Sequence, residues 1–371
     1  MDASLHLLID RVRAAAADAT PLCLQGGGTK CFYGEPPQGQ VLDVRGHAGV
    51  VSYEPTELVV TVRAGTLLAD LEAQLAEQGQ CLPFEPPHFA PGATVGGMVA
   101  SGLSGPARAT VGSVRDYVLG LQMLNGRGQV LSFGGQVMKN VAGYDVSRLM
   151  AGSLGVLGLI TEVSLKVLPQ APAEATLVFA LPQDQALTQL HRWGGQPLPL
   201  NASCWVEEAG QPRLYLRLRG AVAAVEAACT RLLAEVPGQR LDAAAVATDW
   251  AACRDQTLPF FEATAHPGAC LWRLSLPPTA PVLALPWTTL VEWQGGQRWL
   301  WAPASEAEPL RLAAREVGGS ASLFRANNQD LTRVEGRFDA LSPPLMRIHR
   351  QLKAEFDPAG LFNPGRLYPA L

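Results

Sequence analysis

Three consecutive glycines, Gly26, Gly27 and Gly28, lead into Thr29 and Lys30 directly after a short apolar run. A backbone without Cβ atoms takes positive φ easily and lets successive N–H groups converge on an anion. Thr29 adds a hydroxyl and Lys30 a cation at the edge, so a diphosphate suits the loop. The spacing is neither G-x-G-x-x-G nor G-x-x-x-x-G-K-[ST], which excludes Rossmann and P-loop readings. A plain tight turn is the alternative. A second cluster, at 91–105, is built from Pro91, Gly92, Ala93, Thr94, Gly96, Gly97, Ser101, Gly102, Ser104 and Gly105. Residues this small allow close approach to a flat, extended ligand, and Thr94 can cap a short helix facing phosphate. The alternative is a helix packed tightly against another backbone. Against it stands the cost of each glycine, about 1 kcal/mol in a helix.

Two further segments are weaker alone. Residues 138–145 and 148–162 place Gly155, Gly158 and Ile160 at the start of a strand, where bare backbone can pair with the edge of an adenine. Taken alone, the same residues read first as a bulged buried strand. Residues 356–366 form a Pro/Gly-punctuated loop ending in Asn363, Pro364, Gly365 and Arg366, which pinning by Phe356, Leu361 and Phe362 would also explain.

These segments need strands and helices to hold them. Short apolar runs at 21–24, 41–44, 50–53 and 58–62, the last with β-branched Val59, Val60 and Val62, predict strands. Gly65 and Thr66 open a helix, with Thr66 as its cap and Leu67, Leu71 and Leu75 on one face until Gly79. Asn125 and Gly126 predict a hairpin between strands at 117–124 and 129–133. Residues 156–168 are a nearly continuous apolar strand, and Leu5, Leu8, Ile9 and Val12 share a helical face near the N-terminus. Pro169 and Pro172 then mark a boundary. Beyond it, strands at 214–218 and 271–276 and helices at 222–236 and 342–356 predict an antiparallel sheet covered by helices.

Composition narrows the class. A chain of 371 residues exceeds one ordinary core. Charged residues are only 17%, which suits burial against partner subunits or an Ala/Gly/Pro-rich genome equally. A net charge of −4 with no Lys/Arg cluster argues against nucleic acid. No apolar run reaches the length of a membrane span, and Asp2 and Asp10 interrupt any signal-peptide core. Seven cysteines without C-x-x-C spacing suit a reducing cytoplasm and argue against an iron–sulfur cluster or structural zinc. Six histidines include no pair at helical metal-ligand spacing, so no metal is expected.

Taken in order and spacing, the segments resemble the FAD-linked oxidases of the vanillyl-alcohol oxidase and p-cresol methylhydroxylase type. The resemblance is nearest to the E-type subunits of bacterial glycolate oxidases. It rests on QGGGTKCFYG, PTELVVTVRAGT, CLPFEPP, GSVRDYVLG and FGGQVMKNVAGYDVSRLMAGSLGVLGLITEVSLKVLP, covering 22–170 and returning around 320–368. It implies an α+β fold: a two-subdomain FAD-binding domain at 1–170, a smaller α+β cap domain at 171–310 and a segment at 311–371 that returns to the flavin. It implies that Gly26, Gly27, Gly28, Thr29 and Lys30 hold the FAD diphosphate. Pro91, Gly92, Ala93, Thr94, Gly96, Gly97, Ser101, Gly102, Ser104 and Gly105 would line diphosphate, ribityl and flavin, with Gly112 and Ser113 continuing that wall. Gly155, Gly158 and Ile160 would border the adenine, and Asn363 and Arg366 the flavin edge. Relatives with covalent flavin carry a His in the Gly loop; Thr29 and Lys30 stand here, so the FAD is expected to be non-covalent. The metal-binding histidine motif of the larger subunit and of related 2-hydroxyacid dehydrogenases is absent from the C-terminal part.

The function so implied is the FAD-binding subunit of a glycolate oxidase (glycolate dehydrogenase) complex. It would oxidise glycolate to glyoxylate and pass electrons to an iron–sulfur subunit, beside a larger FAD-linked subunit. Oxidising a 2-hydroxy acid needs a base and a carboxylate clamp. His349 is the candidate base and Arg325 or Arg366 the clamp, against the alternative that all three are structural. The location expected is cytoplasmic, or peripheral at the inner membrane through the complex. Other readings are a catalytically silent FAD scaffold in the same complex, a stand-alone FAD oxidoreductase on another 2-hydroxy acid, and an FAD/NADPH reductase of sugar nucleotides.

Overall fold

A computed structural model of the chain describes residues 2–135, 144–327 and 336–371. Two compact units emerge. The first joins Met1–Leu103, Ser113–Gln170 and Ala340–Leu371; the second joins Ser104–Gly112 and Ala171–Asp339. The return segment therefore begins at Ala340 rather than at 311, because the second unit keeps the helix Ala307–Glu316 and the strand Ser320–Arg325. The expected wall residues Ser104, Gly105 and Gly112 fall in the second unit. Most of the segment at 138–145 lies outside the described residues.

The first unit is built on a five-stranded antiparallel sheet ordered Val50–Glu54, Val59–Arg63, Leu159–Lys166, Val118–Leu124, Val130–Gly134. Leu159–Lys166 lies between two neighbours and is buried on both faces, which explains its apolar run. The expected hairpin forms, with Leu124 opposite Val130 and the Asn125 carbonyl oxygen Oδ1 accepting from the Arg127 and Gln129 amides at 3.0 Å. A separate parallel pair, Leu22–Gln25 with Gln40–Asp43, carries the glycine loop. The helix Ala3–Ala17 covers this pair. Its Leu5, Leu8, Ile9 and Val12 pack on Leu22, Leu42, Val44, Leu124, Leu159 and Phe362. One expectation is corrected: the next helix is Leu68–Glu77, and Thr66 does not cap it. The Thr66 hydroxyl instead accepts from the Gly49 amide at 2.8 Å, holding the preceding loop.

Asp2 caps the first helix by accepting from the Ser4 amide, and Ser4 Oγ meets Nδ1 of the buried His47 at 2.7 Å. Burial, reinforced by Arg63 and opposed by Asp2, holds the His47 pKa below its usual value. His47 is therefore neutral in the folded protein at a pH where the unfolded chain takes up a proton. Folding stability should fall as pH drops below about 6.5, the ordinary histidine value. Thermal melts of wild type and H47N across that range check this. The wild type should lose more stability than the variant as the solution is acidified, and parallel curves would exclude His47 as the cause.

The second unit is an eight-stranded antiparallel sheet ordered Gly238–Arg240, Ala173–Phe179, Gln211–Gly220, Leu200–Glu208, Thr289–Glu292, Gln297–Ala302, Cys270–Ser275, Ser320–Arg325. Leu177, Phe179, Trp205, Leu214 and Leu216 face the helices Gln183–Gly194 and Val222–Glu235. The alternate residues Thr176, Cys204 and Tyr215 face the other way, toward the helix Ala243–Asp255. The α+β class holds for both units, and among the described residues no helix is long and apolar enough to cross a membrane.

Candidate functional site

The glycine loop leaves the strand Leu22–Gln25 and meets the segment at 91–97 backbone to backbone. A Cβ on Gly27 would stand 1.6 Å from the Gly92 carbonyl oxygen, and one on Gly26 would stand 2.2 Å from Thr94 Oγ1. Those two glycines are thus required by the neighbouring loop, while Gly28 takes φ +70°. Thr94 caps the helix Val95–Ser101 by accepting from the Gly97 amide at 3.2 Å. Within that helix the paired glycines differ. A Cβ on Gly96 would press on Ala64 at 2.7 Å, whereas one on Gly97 would meet only Thr94 Oγ1, at 3.1 Å, and otherwise open space.

That open space is a groove formed by two adjoining hollows of about 100 Å³ and about 70 Å³. Both are lined by Leu24, Gln25, Gly26, Gly97, Ala100, Leu154 and Asn363. One end adds Gly27, Gly28, Thr29, Lys30, Thr94, Ser101 and Arg366; the other adds Gly96, Gly155, Gly158 and Ile160. So fourteen of the sequence-expected residues named here share one wall. Pro91, Gly92, Ala93, Gly102 and Ser113 are not among the residues lining it. Ala93 holds the helix start by accepting from the Leu68 amide at 2.8 Å, Gly102 ends the helix at φ +65°, and Ser113 forms a capping box with Asp116.

The C-terminal segment closes the groove from below. The Leu22 amide donates to the Leu361 carbonyl at 2.7 Å and the Asn363 amide to the Leu22 carbonyl at 2.9 Å, so this segment adds a third strand-like row to the parallel pair. The Asn363 side chain accepts from the Leu24 amide at 2.7 Å and donates to the Leu154 carbonyl at 2.6 Å. Beneath it lies a network that the sequence did not point out. Lys353 Nζ is buried and donates to Asp357 at 2.6 Å, to the Phe362 carbonyl at 2.7 Å and to the Val156 carbonyl at 2.8 Å. Asp357 accepts in turn from the Leu361 and Phe362 amides. Burial pushes the Lys353 pKa down, and Asp357 opposes that shift.

Of the residues expected to act on a 2-hydroxy acid, Arg366 lines this groove and His349 does not. Arg366 is buried and donates to the carbonyls of Glu35, Lys30 and Cys31, which fastens the glycine loop to the chain's last residues. His349 stands edge-on to Tyr368 and lines a different cavity of about 290 Å³, with Arg115 and Lys353. Arg325 belongs to the second unit, where burial pushes its pKa down to about 10.

The lining suits FAD. Bare backbone at Gly97 leaves room for a flat group, hydroxyls and amides recur, and Lys30 and Arg366 are the charged residues along it, with no carboxylate among the described ones. Residues 4–134 match the FAD binding domain family. The chain is 47% identical to glycolate oxidase subunit GlcE of Escherichia coli (strain K12), over 98% of its own length and 97% of that protein's. It belongs to the FAD-linked oxidase family of the p-cresol methylhydroxylase type. Other members are similar over less of their length. Glycolate oxidase subunit GlcD of Bacillus subtilis (strain 168) is 31% identical over 43% of this chain and 34% of its own. D-lactate dehydrogenase of Anaerostipes hadrus is 36% identical over 35% and 27%. Among solved structures, alkyldihydroxyacetonephosphate synthase superposes with a TM-score of 0.66 at 15% identity, over 96% of this chain and 74% of that one. As a member of the family, the chain is an FAD-dependent oxidoreductase acting on CH–OH donors.

Proposed function

We propose that this chain is the FAD-binding subunit of a glycolate-oxidising complex, assembled with a larger FAD-linked subunit and an iron–sulfur subunit. The observation that carries the reading is the near-full-length similarity to a glycolate oxidase subunit, joined to a groove whose lining suits the cofactor. Seven cysteines without C-x-x-C spacing leave cluster ligation to another chain. Gly26, Gly27 and Gly28 turn backbone toward the diphosphate, and Lys30 offsets its charge. Gly155, Gly158 and Ile160 border the adenosine end, and Asn363 fixes the spacing between loop and strand. Bound without a covalent link, FAD supplies a two-electron acceptor for the hydride of the CH–OH carbon.

A second reading is favoured by Arg366 and His349: the first is engaged with backbone carbonyls and the second lines another cavity. In that reading the subunit carries flavin and stabilises the complex while the larger subunit meets the substrate. Anaerobic addition of glycolate to the purified, flavin-loaded chain separates the two. Bleaching of the flavin band in the chain alone assigns it the chemistry; bleaching only with the larger subunit present assigns it the supporting role. A chain that takes up no FAD, alone or with its partners, would sink both.

A further inference from the structure

The second unit holds a cavity of about 250 Å³ between the helix Ala243–Asp255 and the sheet. Cys204 and Cys253 both line it and both are buried, whereas Glu208, Asp249 and Pro259 at its lining are exposed. The cavity therefore connects solvent with two thiols. Neither thiol has a part in the flavin groove.

The sheet register explains how they meet. Cys204 lies directly opposite Glu292 on the next strand, and Glu292 lies opposite Gln297. Residues opposite one another share a sheet face, with Cβ atoms about 5 Å apart. The Glu292 carboxylate is buried and held, accepting from Trp299 Nε1 at 2.6 Å and Gln297 Nε2 at 3.0 Å. Cys253 comes down on this row from the helix. Its thiol donates to Glu292 Oε1 at 3.3 Å, and it lines the same cavity as Cys204. Glu292 thus has one thiol hydrogen-bonded to it and the other opposite it on the next strand, and both thiols line the solvent-connected cavity.

We propose that Cys204 and Cys253 are a peroxide-oxidised dithiol site, with Glu292 as the base that takes the proton of Cys253. The Cys253 thiolate attacks one peroxide oxygen, the O–O bond breaks and the leaving hydroxide takes the proton from Glu292 as water. Cys253 is then a sulfenic acid. Cys204 next gives up its proton and attacks the Cys253 sulfur, the S–O bond breaks and a second water leaves. Two thiols lose two electrons and two protons; hydrogen peroxide becomes two waters. The cavity admits a small neutral oxidant, while the carboxylates of Glu208 and Asp249 disfavour anionic ones. The neighbouring Cys204 thiol, burial and the Glu292 carboxylate hold the Cys253 thiol above its usual pKa, so the base is needed to expose the nucleophile.

The test uses the full-length, flavin-loaded protein. It is treated with hydrogen peroxide, denatured, alkylated with N-ethylmaleimide and mapped without reduction. A peptide joining Cys204 to Cys253, released by dithiothreitol, is the expected product. In C204S the reaction should stop at a Cys253 sulfenic acid that dimedone captures, and E292Q should slow oxidation by about tenfold or more. The proposal is overturned if both cysteines remain alkylatable at peroxide levels that oxidise the exposed Cys31. It is overturned equally if a properly folded E292Q reacts at the wild-type rate. The wild-type map stands by itself should a variant fail to fold.

Discussion

Gly97→Leu should give a folded protein without flavin colour. Gly97 lies inside the helix Val95–Ser101, where replacing glycine gains about 1 kcal/mol of helix stability. Its Cβ would touch one neighbour, Thr94 Oγ1 at 3.1 Å, so little in the fold opposes the change. The remaining side-chain atoms must then enter the groove bounded by Gly26, Ala100, Leu154 and Asn363. We expect FAD affinity to fall at least about a hundredfold, or roughly 3 kcal/mol, with the far-UV spectrum and melting temperature retained. Titration of the apoprotein with FAD, followed by flavin fluorescence, measures it. Gly96→Leu is the contrast, because its Cβ would lie 2.7 Å from Ala64 and damage the fold itself. Wild-type FAD affinity in Gly97→Leu would remove the groove from consideration as the cofactor site.

The second large effect is expected at Lys353. Removing this cation by Lys353→Met leaves Asp357, which is fully buried, with its charge uncompensated. Breaking one side of a buried pair costs about 3–5 kcal/mol. The loss should appear in denaturant melts of the first unit. It should also weaken FAD binding, since Asp357 holds the amides of Leu361 and Phe362 and the next residue is Asn363. A double variant, Lys353→Met with Asp357→Asn, should recover part of the loss because no buried charge remains. A single variant that shifts stability by less than about 1 kcal/mol would show the pair to be peripheral.

Sequence reading reached the groove residues because their signal is compositional: Gly26, Gly97 and Gly155 are costly unless backbone must come close to something. For some of them the structure adds a second reason. Gly26 and Gly27 are spared side chains by the loop at 92–94 as much as by a ligand. The strands with β-branched runs and the hairpin at Asn125 were equally legible, since alternation and turn chemistry are local. What was not legible depends on contacts distant in sequence. Lys353 and Asp357 are spaced i,i+4, like any solvated pair on a helix, and nothing local says that both are buried. Arg366 reads as an anion ligand by type, yet its guanidinium is turned on three backbone carbonyls more than 300 residues earlier. Thr66 reads as a cap but serves Gly49. Cys204 and Cys253 stand far apart in the chain and become neighbours only through sheet register and one packed helix.

The residues that brace Leu22 and Leu24, namely Leu361 and Asn363, are made only after the whole of the second unit has been synthesised. Domains fold as they emerge from the ribosome, the earlier ones first. Here the earlier one must wait: its opening strand has no third neighbour until the second unit has been made. The cofactor therefore joins a chain that has already made both units, and nascent chains stalled before Leu361 should carry none.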